Sequence, residues 1–195
     1  MNVLETERLT LRWLTADDAP FVLKLLNDPA WLRFIGDRCV RDVEQARTYL
    51  LNGPVAMVER FGFGLYLAAR KSDGVPMGMC GLIKREGLDD VDIGFAFLPQ
   101  FCGSGYAFEA ATAVMAYGKS TFGLRRIVGI TSPDNISSIK LLEKIGLKAE
   151  RMIRLPKVDE ETMLFAWEAK NHADNLGTSN NLKSVRPEVS KGLVG

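Results

Sequence analysis

The sequence predicts a single α+β (α/β) domain, in which a mixed, mostly antiparallel central sheet is flanked by helices. The predicted elements run in the order β-α-α-β-β-β-α-β-α-β-β, with runs of strands as well as alternating units. Two adjacent hairpins in the first half indicate antiparallel pairing there. The chain has 195 residues, of which 47% are hydrophobic, and this is enough for one sizeable core.

Each predicted element follows from its local pattern. Strands with alternating or β-branched residues are predicted at 8–14, 61–70, 75–84, 92–98, 124–131, 148–155 and 161–168. Helices are predicted from Thr15 to Asp28-Pro29, and at 42–51, 106–122 and 135–145. Thr15 and Asp18 have the spacing of a capping box at the first helix. The segment 31–41 is predicted to be a connection between two helices.

Composition excludes several classes of function. The formal net charge is +1 and charges of both signs are interspersed, so no nucleic-acid partner is expected. No apolar run approaches the roughly 20 residues of a membrane span, so we expect a cytoplasmic protein without a membrane partner. The three cysteines lack a C-x-x-C pair, and no metal site is expected. The one histidine, His172, lies beyond the last predicted strand, so no histidine-activated nucleophile is expected.

A strand, a glycine turn and a helix follow one another between residues 90 and 121. The first turn of a helix has N–H groups without intrahelical partners, so this arrangement predicts an anion site. Gly103 and Gly105 would let a phosphate approach the backbone closely. A Walker loop requires Gly-Lys-Ser/Thr, whereas Gly105 is followed by Tyr106-Ala107. A dinucleotide-binding loop requires a small residue where Phe108 stands.

The string PQFCGSGYAFEA resembles the acyl-CoA pyrophosphate loop of the GNAT N-acetyltransferase superfamily, in the branch containing the ribosomal-protein N-terminal acetyltransferases. Registers beginning at Gln100 and at Cys102 both fit, and the flanking residues favour the second. Cys102 then stands where the family has Arg or Gln. The resemblance implies a pyrophosphate contact with Cys102, Gly103, Ser104, Gly105, Tyr106 and Ala107. It also implies one GNAT domain over 1–169, and the polar, aperiodic composition of 170–195 predicts a C-terminal tail.

The segment TSPDNISSIKLLEKIGL resembles the second coenzyme motif of that family, N-x-x-S-x-x-x-x-E-K-x-G-F. In the family, the Asn contacts the pantetheine arm and the Ser can donate a proton to the departing sulfur. These positions are Asn135 and Ser138 here. A plain helix cap and a plain helix hydroxyl are the alternatives. The family's central strand splays and offers backbone N–H groups to the coenzyme, and the matching positions are Phe95, Ala96 and Phe97.

Acetyl transfer from a thioester to an amine requires a deprotonated amine, a polarised carbonyl and a proton for the departing thiolate. Asp92 resembles the position where relatives carry an acidic residue that takes the amine proton. Burial could raise its pKa to a useful value. Alternatively, Asp92 belongs with Asp89 and Asp90 to a solvated turn, and Glu86 is a weaker candidate for the base.

The resemblance implies acetyl-CoA as a co-substrate, direct transfer in a ternary complex, and a monomer or homodimer. The acceptor would be an amine of a protein N-terminus or of a small molecule. Trp31, Arg33 and Phe34 lie in the connection that borders the acceptor groove in the family, and substrate contact is expected there. Cys102 and the absence of a catalytic tyrosine after Ser138 leave open an alternative, a non-catalytic acyl-CoA-binding sensor or structural protein.

Overall fold

The computed structural model describes residues 2–156 and 160–170 of the chain. The strands are β1 Asn2–Glu5, β2 Leu9–Trp13, β3 Leu65–Arg70, β4 Pro76–Ile83, β5 Val91–Phe97, β6 Arg126–Thr131, β7 Lys148–Arg154 and β8 Glu161–Glu168. The α-helices are α1 Ala19–Leu26, α2 Pro29–Phe34, α3 Val43–Leu50, α4 Ala56–Phe61, α5 Tyr106–Thr121 and α6 Ile136–Lys144. The predicted tail from 171 onward, with His172, lies outside the described residues.

The strands form one mixed sheet in the order β1-β2-β3-β4-β5-β6-β8-β7. Neighbouring strands pair antiparallel except β5 and β6, which are parallel. The parallel ladder consists of Val91 opposite Ile127 and Asp92 opposite Val128, and it stops there. The predicted mixed, mostly antiparallel sheet is therefore confirmed. Beyond Asp92 the backbone of β5 that faces β6 has no strand partner.

Each face of the sheet is covered by a different set of helices, because side chains alternate along the strands. On one face, Leu82 and Ile93 pack in a buried cluster with Val114 of α5. On the opposite face, Leu67 packs in a second cluster with residues of α1 and α3 such as Val22. The sheet is the middle layer, and α1 to α3 stand across it from α5.

The segment 31–41 is not the simple connection that the sequence predicts. Asp28 does follow the end of α1, but its carboxylate accepts a hydrogen bond from the Ala30 N–H at 2.9 Å, and Pro29 occupies the first helical position. Asp and Pro are favoured at these two positions of a helix start. The same dipeptide therefore ends one helix and begins α2, which carries Trp31 into the protein, where it is 6% exposed.

The second predicted helix also extends further than expected. A π-helical turn at Leu51–Val55, which contains Pro54, joins α3 to α4. The helix then ends at Gly62, whose φ of 75° is in the left-handed region that suits glycine at a helix end. As a result β3 begins at Leu65, and the prediction of a strand from residue 61 is wrong at its start.

The predicted capping box at Thr15 is present and is reinforced by an ion pair. The Thr15 N–H donates to Oδ2 of Asp18 at 2.9 Å, and the guanidinium of Arg12 donates to both carboxylate oxygens at 2.7 and 2.8 Å. Burial raises the pKa of Asp18, but the hydrogen bonds from Arg12 and Thr15 outweigh it and hold the pKa below its usual value. The pair fixes the start of α1 against β2.

Candidate active site

The glycine loop between β5 and α5 has the geometry of an anion site. Gly103 and Gly105 have φ values of +77° and +83°, in the left-handed region where a side chain is strained. A Cβ atom built on Gly103 would meet nothing within 4 Å, so open space adjoins this backbone. Within the described residues, the N–H groups of Tyr106, Ala107 and Phe108 make no hydrogen bond. The loop thus offers free donors at the positive end of the α5 dipole.

Arg8, which belongs to no motif in the sequence, braces this loop. Its Nη1 donates to the Ser104 carbonyl at 3.0 Å, and its Nε donates to Oε2 of Glu109 at 2.7 Å. The guanidinium lies 4.5 Å from the centre of the Tyr106 ring. Glu109 also accepts from the Thr6 hydroxyl at 2.5 Å. The amino-terminal segment therefore holds the loop and the first turn of α5 together.

Asn135 caps α6, since its Oδ1 accepts a hydrogen bond from the Ser138 N–H at 3.1 Å. The side-chain oxygen of Asn135 therefore forms a helix cap, as the alternative interpretation of this residue predicts. The Nδ2 group makes no hydrogen bond within the described residues and is free to donate to a ligand. Ser138 is half-buried on the first turn of α6. Both side chains line the cavity described next.

A cavity of about 710 Å³ runs from the glycine loop and α6 to the face of the sheet that α1 to α3 cover. Ligand sites commonly have volumes of about 300–1,000 Å³. The predicted site residues that line it are Trp31, Phe34, Asp92, Phe95, Ala96, Phe97, Cys102, Gly103, Gly105, Tyr106, Ala107, Asn135 and Ser138. Ser104 and Arg33 are not among its lining residues. Arg33 pairs with Asp134 at 2.8 Å, and its side chain is 66% exposed.

Asp92 is buried, with 1% of its surface exposed, so it does not belong to a solvated turn with Asp89 and Asp90. Its Oδ2 accepts two hydrogen bonds from Arg85, from Nε at 2.9 Å and from Nη2 at 2.7 Å. Oδ1 makes no hydrogen bond of normal geometry with any described residue. One carboxylate oxygen is thus anchored, and the other remains able to accept a proton or a hydrogen bond.

Burial raises the pKa of Asp92 to about 6, because a charged carboxylate loses its hydration inside the protein. The positive charge and hydrogen bonds of Arg85 act in the opposite direction, and the nearby Ile130 N–H adds a smaller effect of the same sign. A carboxylate with this pKa is deprotonated at neutral pH and is a stronger base than an exposed aspartate.

Several lining residues were outside the sequence prediction. The cavity is bordered by Arg38, Tyr49 and Met57, which come from the segments between α2 and α4, and by Lys140 and Lys144 of α6. Only Lys144 had a signal in the sequence, as a member of the second coenzyme motif. The others come from segments whose patterns indicate only helices or a connection, and the fold alone brings them together.

Comparison with known proteins identifies the family to which this site belongs. A family model described as an acetyltransferase (GNAT) domain matches residues 8–148. The chain belongs to the GNAT acetyltransferase family. This chain is 30% identical to an uncharacterised N-acetyltransferase, p20, from Bacillus licheniformis. The match covers 79% of this chain and 86% of the relative. This chain is accordingly an N-acetyltransferase of a family that uses acetyl-CoA.

Solved structures share the GNAT fold. An acetyltransferase from Agrobacterium tumefaciens superposes with a TM-score of 0.74 at 25% identity, over 85% of this chain and 94% of that one. RimL, a ribosomal L7/L12 α-N-protein acetyltransferase solved in complex with coenzyme A, superposes with a TM-score of 0.73 at 19% identity, covering 86% and 98%. In the described part of this chain, no helix is long and apolar enough to cross a membrane.

Proposed function

We propose that this GNAT enzyme transfers the acetyl group of acetyl-CoA directly to a primary amine, on a protein N-terminus or a small molecule, in a ternary complex. One observation carries the proposal. A single cavity connects an anion-binding glycine loop to a buried carboxylate, Asp92, that keeps one oxygen free. Those are the two ends that such a reaction requires, one for the coenzyme and one for the reacting amine.

The glycine loop fits the pyrophosphate of the coenzyme. The open space beside Gly103 admits phosphate oxygens, and the free N–H groups of Tyr106 and Ala107 can donate to them. Lys140 and Lys144 add positive charge along the same wall of the cavity. This backbone cradle supplies what Cys102 lacks in comparison with the Arg or Gln that is usual in the family. The Nδ2 group of Asn135 is a further donor, placed to meet the pantetheine arm.

The separation of β5 from β6 provides the site for the reacting carbonyl. Acetyl-CoA supplies a thioester, whose carbonyl carbon is the electrophile. The backbone of β5 from Ile93 to Phe97 has no partner on the β6 side, so its N–H groups can stabilise negative charge that develops on the carbonyl oxygen. Phe95, Ala96 and Phe97 all line the cavity at this position.

Asp92 and Ser138 are assigned to the two proton transfers. The amine forms a C–N bond to the carbonyl carbon, and its proton passes to Oδ1 of Asp92 directly or through a water molecule. The C–S bond then breaks with its electron pair on sulfur. Ser138 donates a proton to that thiolate and regains one from solvent, so the products are an acetylated amine and the free thiol of CoA. Arg85 positions Asp92 by fixing its other oxygen.

An assay of CoA thiol release, run with acetyl-CoA and a panel of primary amines, tests the proposal. We expect release that depends on an amine, with mass spectrometry detecting the acetylated product. Asp92→Asn should abolish most of this turnover while coenzyme binding persists. Tight acetyl-CoA binding without turnover on any amine would favour the sensor or structural protein instead, and no coenzyme binding would contradict both functions.

A further inference from the structure

One part of the cavity has a mostly apolar wall. It is formed by α2, by the α3–α4 segment and by the adjoining strands. The apolar side chains on this wall are Trp31, Phe34, Ile35, Pro54, Met57 and Met79. We call this part the acceptor pocket, because Asp92 lines the same cavity, and the proposed function requires the amine to reach Asp92. An apolar wall of this kind favours a ligand with an apolar body.

The polar groups of the acceptor pocket are nearly all hydrogen-bond donors. Arg38 lines the pocket and forms no ion pair within the described residues. Arg85 uses Nε and Nη2 for Asp92, whereas its Nη1 has no partner in the described part of the chain. The indole Nε1 of Trp31 is buried and likewise has no partner there. A buried donor without an acceptor is costly, so a ligand that supplies acceptors would be stabilised.

Acceptors and negative charges are scarce in this pocket. Two acidic side chains line the whole cavity, Asp28 and Asp92. Asp28 caps α2 through the Ala30 N–H, and its charge acts on Cys102 of the glycine loop, which places it toward the coenzyme. Oδ1 of Asp92 is then the free carboxylate oxygen of the acceptor pocket.

Arg38 and Arg85 both lie close enough to Tyr49 to affect its hydroxyl group. Burial raises the pKa of the Tyr49 hydroxyl, and the positive charges of Arg38 and Arg85 both oppose that shift. Tyr49 also lines the pocket, so the three side chains border the same cavity. Arginine pairs bidentately with carboxylates, and such charge-assisted bonds are about twice as strong as neutral ones.

We infer that the acceptor is a small amine carrying a carboxylate on an apolar body, as an apolar or aromatic α-amino acid does, with its carboxylate held by Arg38 and Arg85. This inference rests on the proposed acetyl transfer and narrows its acceptor. The amine of such a ligand is oriented toward Asp92, and the product is an N-acetyl amino acid. Polyamines and aminoglycosides are disfavoured, because Arg38, which has no ion-pair partner among the described residues, would repel their multiple positive charges.

The test compares acceptors that differ only in the carboxylate. With saturating acetyl-CoA, kcat/KM is measured for phenylalanine, phenylalaninamide and phenethylamine, and for tryptophan and tryptamine. We expect each amino acid to exceed its carboxylate-free partner by about ten- to a hundredfold, the range of hydrogen bonds to charged groups. A peptide with an amino-terminal phenylalanine distinguishes a free amino acid from a protein N-terminus, and we expect it to be the poorer substrate.

Two arginine variants locate the effect. Arg38→Gln should lower kcat/KM for phenylalanine about tenfold or more, and should leave phenethylamine nearly unchanged. Arg47→Gln is the matched control, because Arg47 lies on α3, contacts only the exposed Glu44 at 3.6 Å among carboxylates and does not line the cavity. It should preserve the preference for the amino acid. A preference that survives Arg38→Gln would overturn the assignment of the carboxylate site.

The result separates the inference from the proposed function. Turnover of amines without any preference for the carboxylate, or best turnover of the peptide, would refute the inference and leave acetyl transfer intact. If no amine is acetylated, the proposed function fails, and calorimetric binding of the product N-acetylphenylalanine in the presence of CoA still tests the pocket. Equal affinity for N-acetylphenylalanine and N-acetylphenethylamine would then overturn the inference as well.

Discussion

The Asp92→Asn variant tests the proposed base, because it keeps the size of the side chain and removes its ability to take a proton. Positioned general bases contribute about a hundredfold to ten-thousandfold, so kcat should fall by that range at neutral pH. Coenzyme affinity should be retained, since Asp92 lies away from the glycine loop. Arg85 loses its charged partner but is 29% exposed, so water can solvate it.

The pH dependence follows from the raised pKa of Asp92, which is about 6. Below that value the carboxylate is protonated, so kcat/KM of the wild type should fall about tenfold per pH unit, and this acidic limb should be missing in Asp92→Asn. Asp90→Asn is the matched control. Asp90 stands two residues earlier, pairs with Arg126 at 2.8 Å and does not line the cavity.

Stability gives an independent measurement of the same group. The folded state binds the Asp92 proton more tightly than the unfolded state, because the pKa is raised from 3.8 to about 6. Its contribution to the free energy of unfolding is therefore fully present below about pH 4 and is lost as the pH rises to about 6, by about 3 kcal/mol. Asp92→Asn should remove this fall, and Asp90→Asn should retain it. In the activity assay, the Asp92→Asn variant would refute the role of Asp92 if it kept near-wild-type activity at pH 7 and an unchanged acidic limb of kcat/KM.

Three further predictions concern the coenzyme site and the fold. Gly103→Ala and Gly74→Ala place a Cβ at φ +77° and φ +71° with nothing within 4 Å, so each variant should lose about 1 kcal/mol of stability. Only Gly103→Ala should weaken acetyl-CoA binding in calorimetry, by about tenfold. Asn135→Asp keeps the cap oxygen and should raise KM for acetyl-CoA, whereas Ser138→Ala should chiefly lower kcat; equal effects on both constants would contradict this division. Asp18→Asn should cost about 2 kcal/mol in urea unfolding, and its difference from wild type should shrink on acidification as the carboxylate of the wild type becomes protonated.

Much of the fold follows from local patterns in the sequence. The alternation in β2, the turn before β4 and the cap residues Thr15 and Asn135 depend on near neighbours, and the structure confirms each of them. The prediction lacks β1, because four residues at the sheet edge are too few for a periodic signal. It lacks α4 because Gly53 and Pro54 interrupt the helical pattern that the π-helical turn carries through.

Less of the candidate site than of the fold can be predicted from the sequence. The site residues predicted from the glycine loop and from the α6 motif each lie close together in the chain, and all of them except Ser104 line the cavity. The state of Asp92 depends on burial and on Arg85, which reaches it from the segment between β4 and β5. Arg38 has no sequence pattern around it that indicates a site. Groups that become important only through tertiary contacts cannot be identified by spacing alone.

A crystal structure of the complex with acetyl-CoA tests the central claim most directly. We predict that pyrophosphate oxygens lie about 3 Å from backbone N–H groups between Cys102 and Ala107, and that the thioester lies where β5 separates from β6. The Nδ2 group of Asn135 should then contact the pantetheine arm. Acetyl-CoA bound elsewhere, with no phosphate at the start of α5, would contradict the proposed coenzyme site and the mechanism built on it.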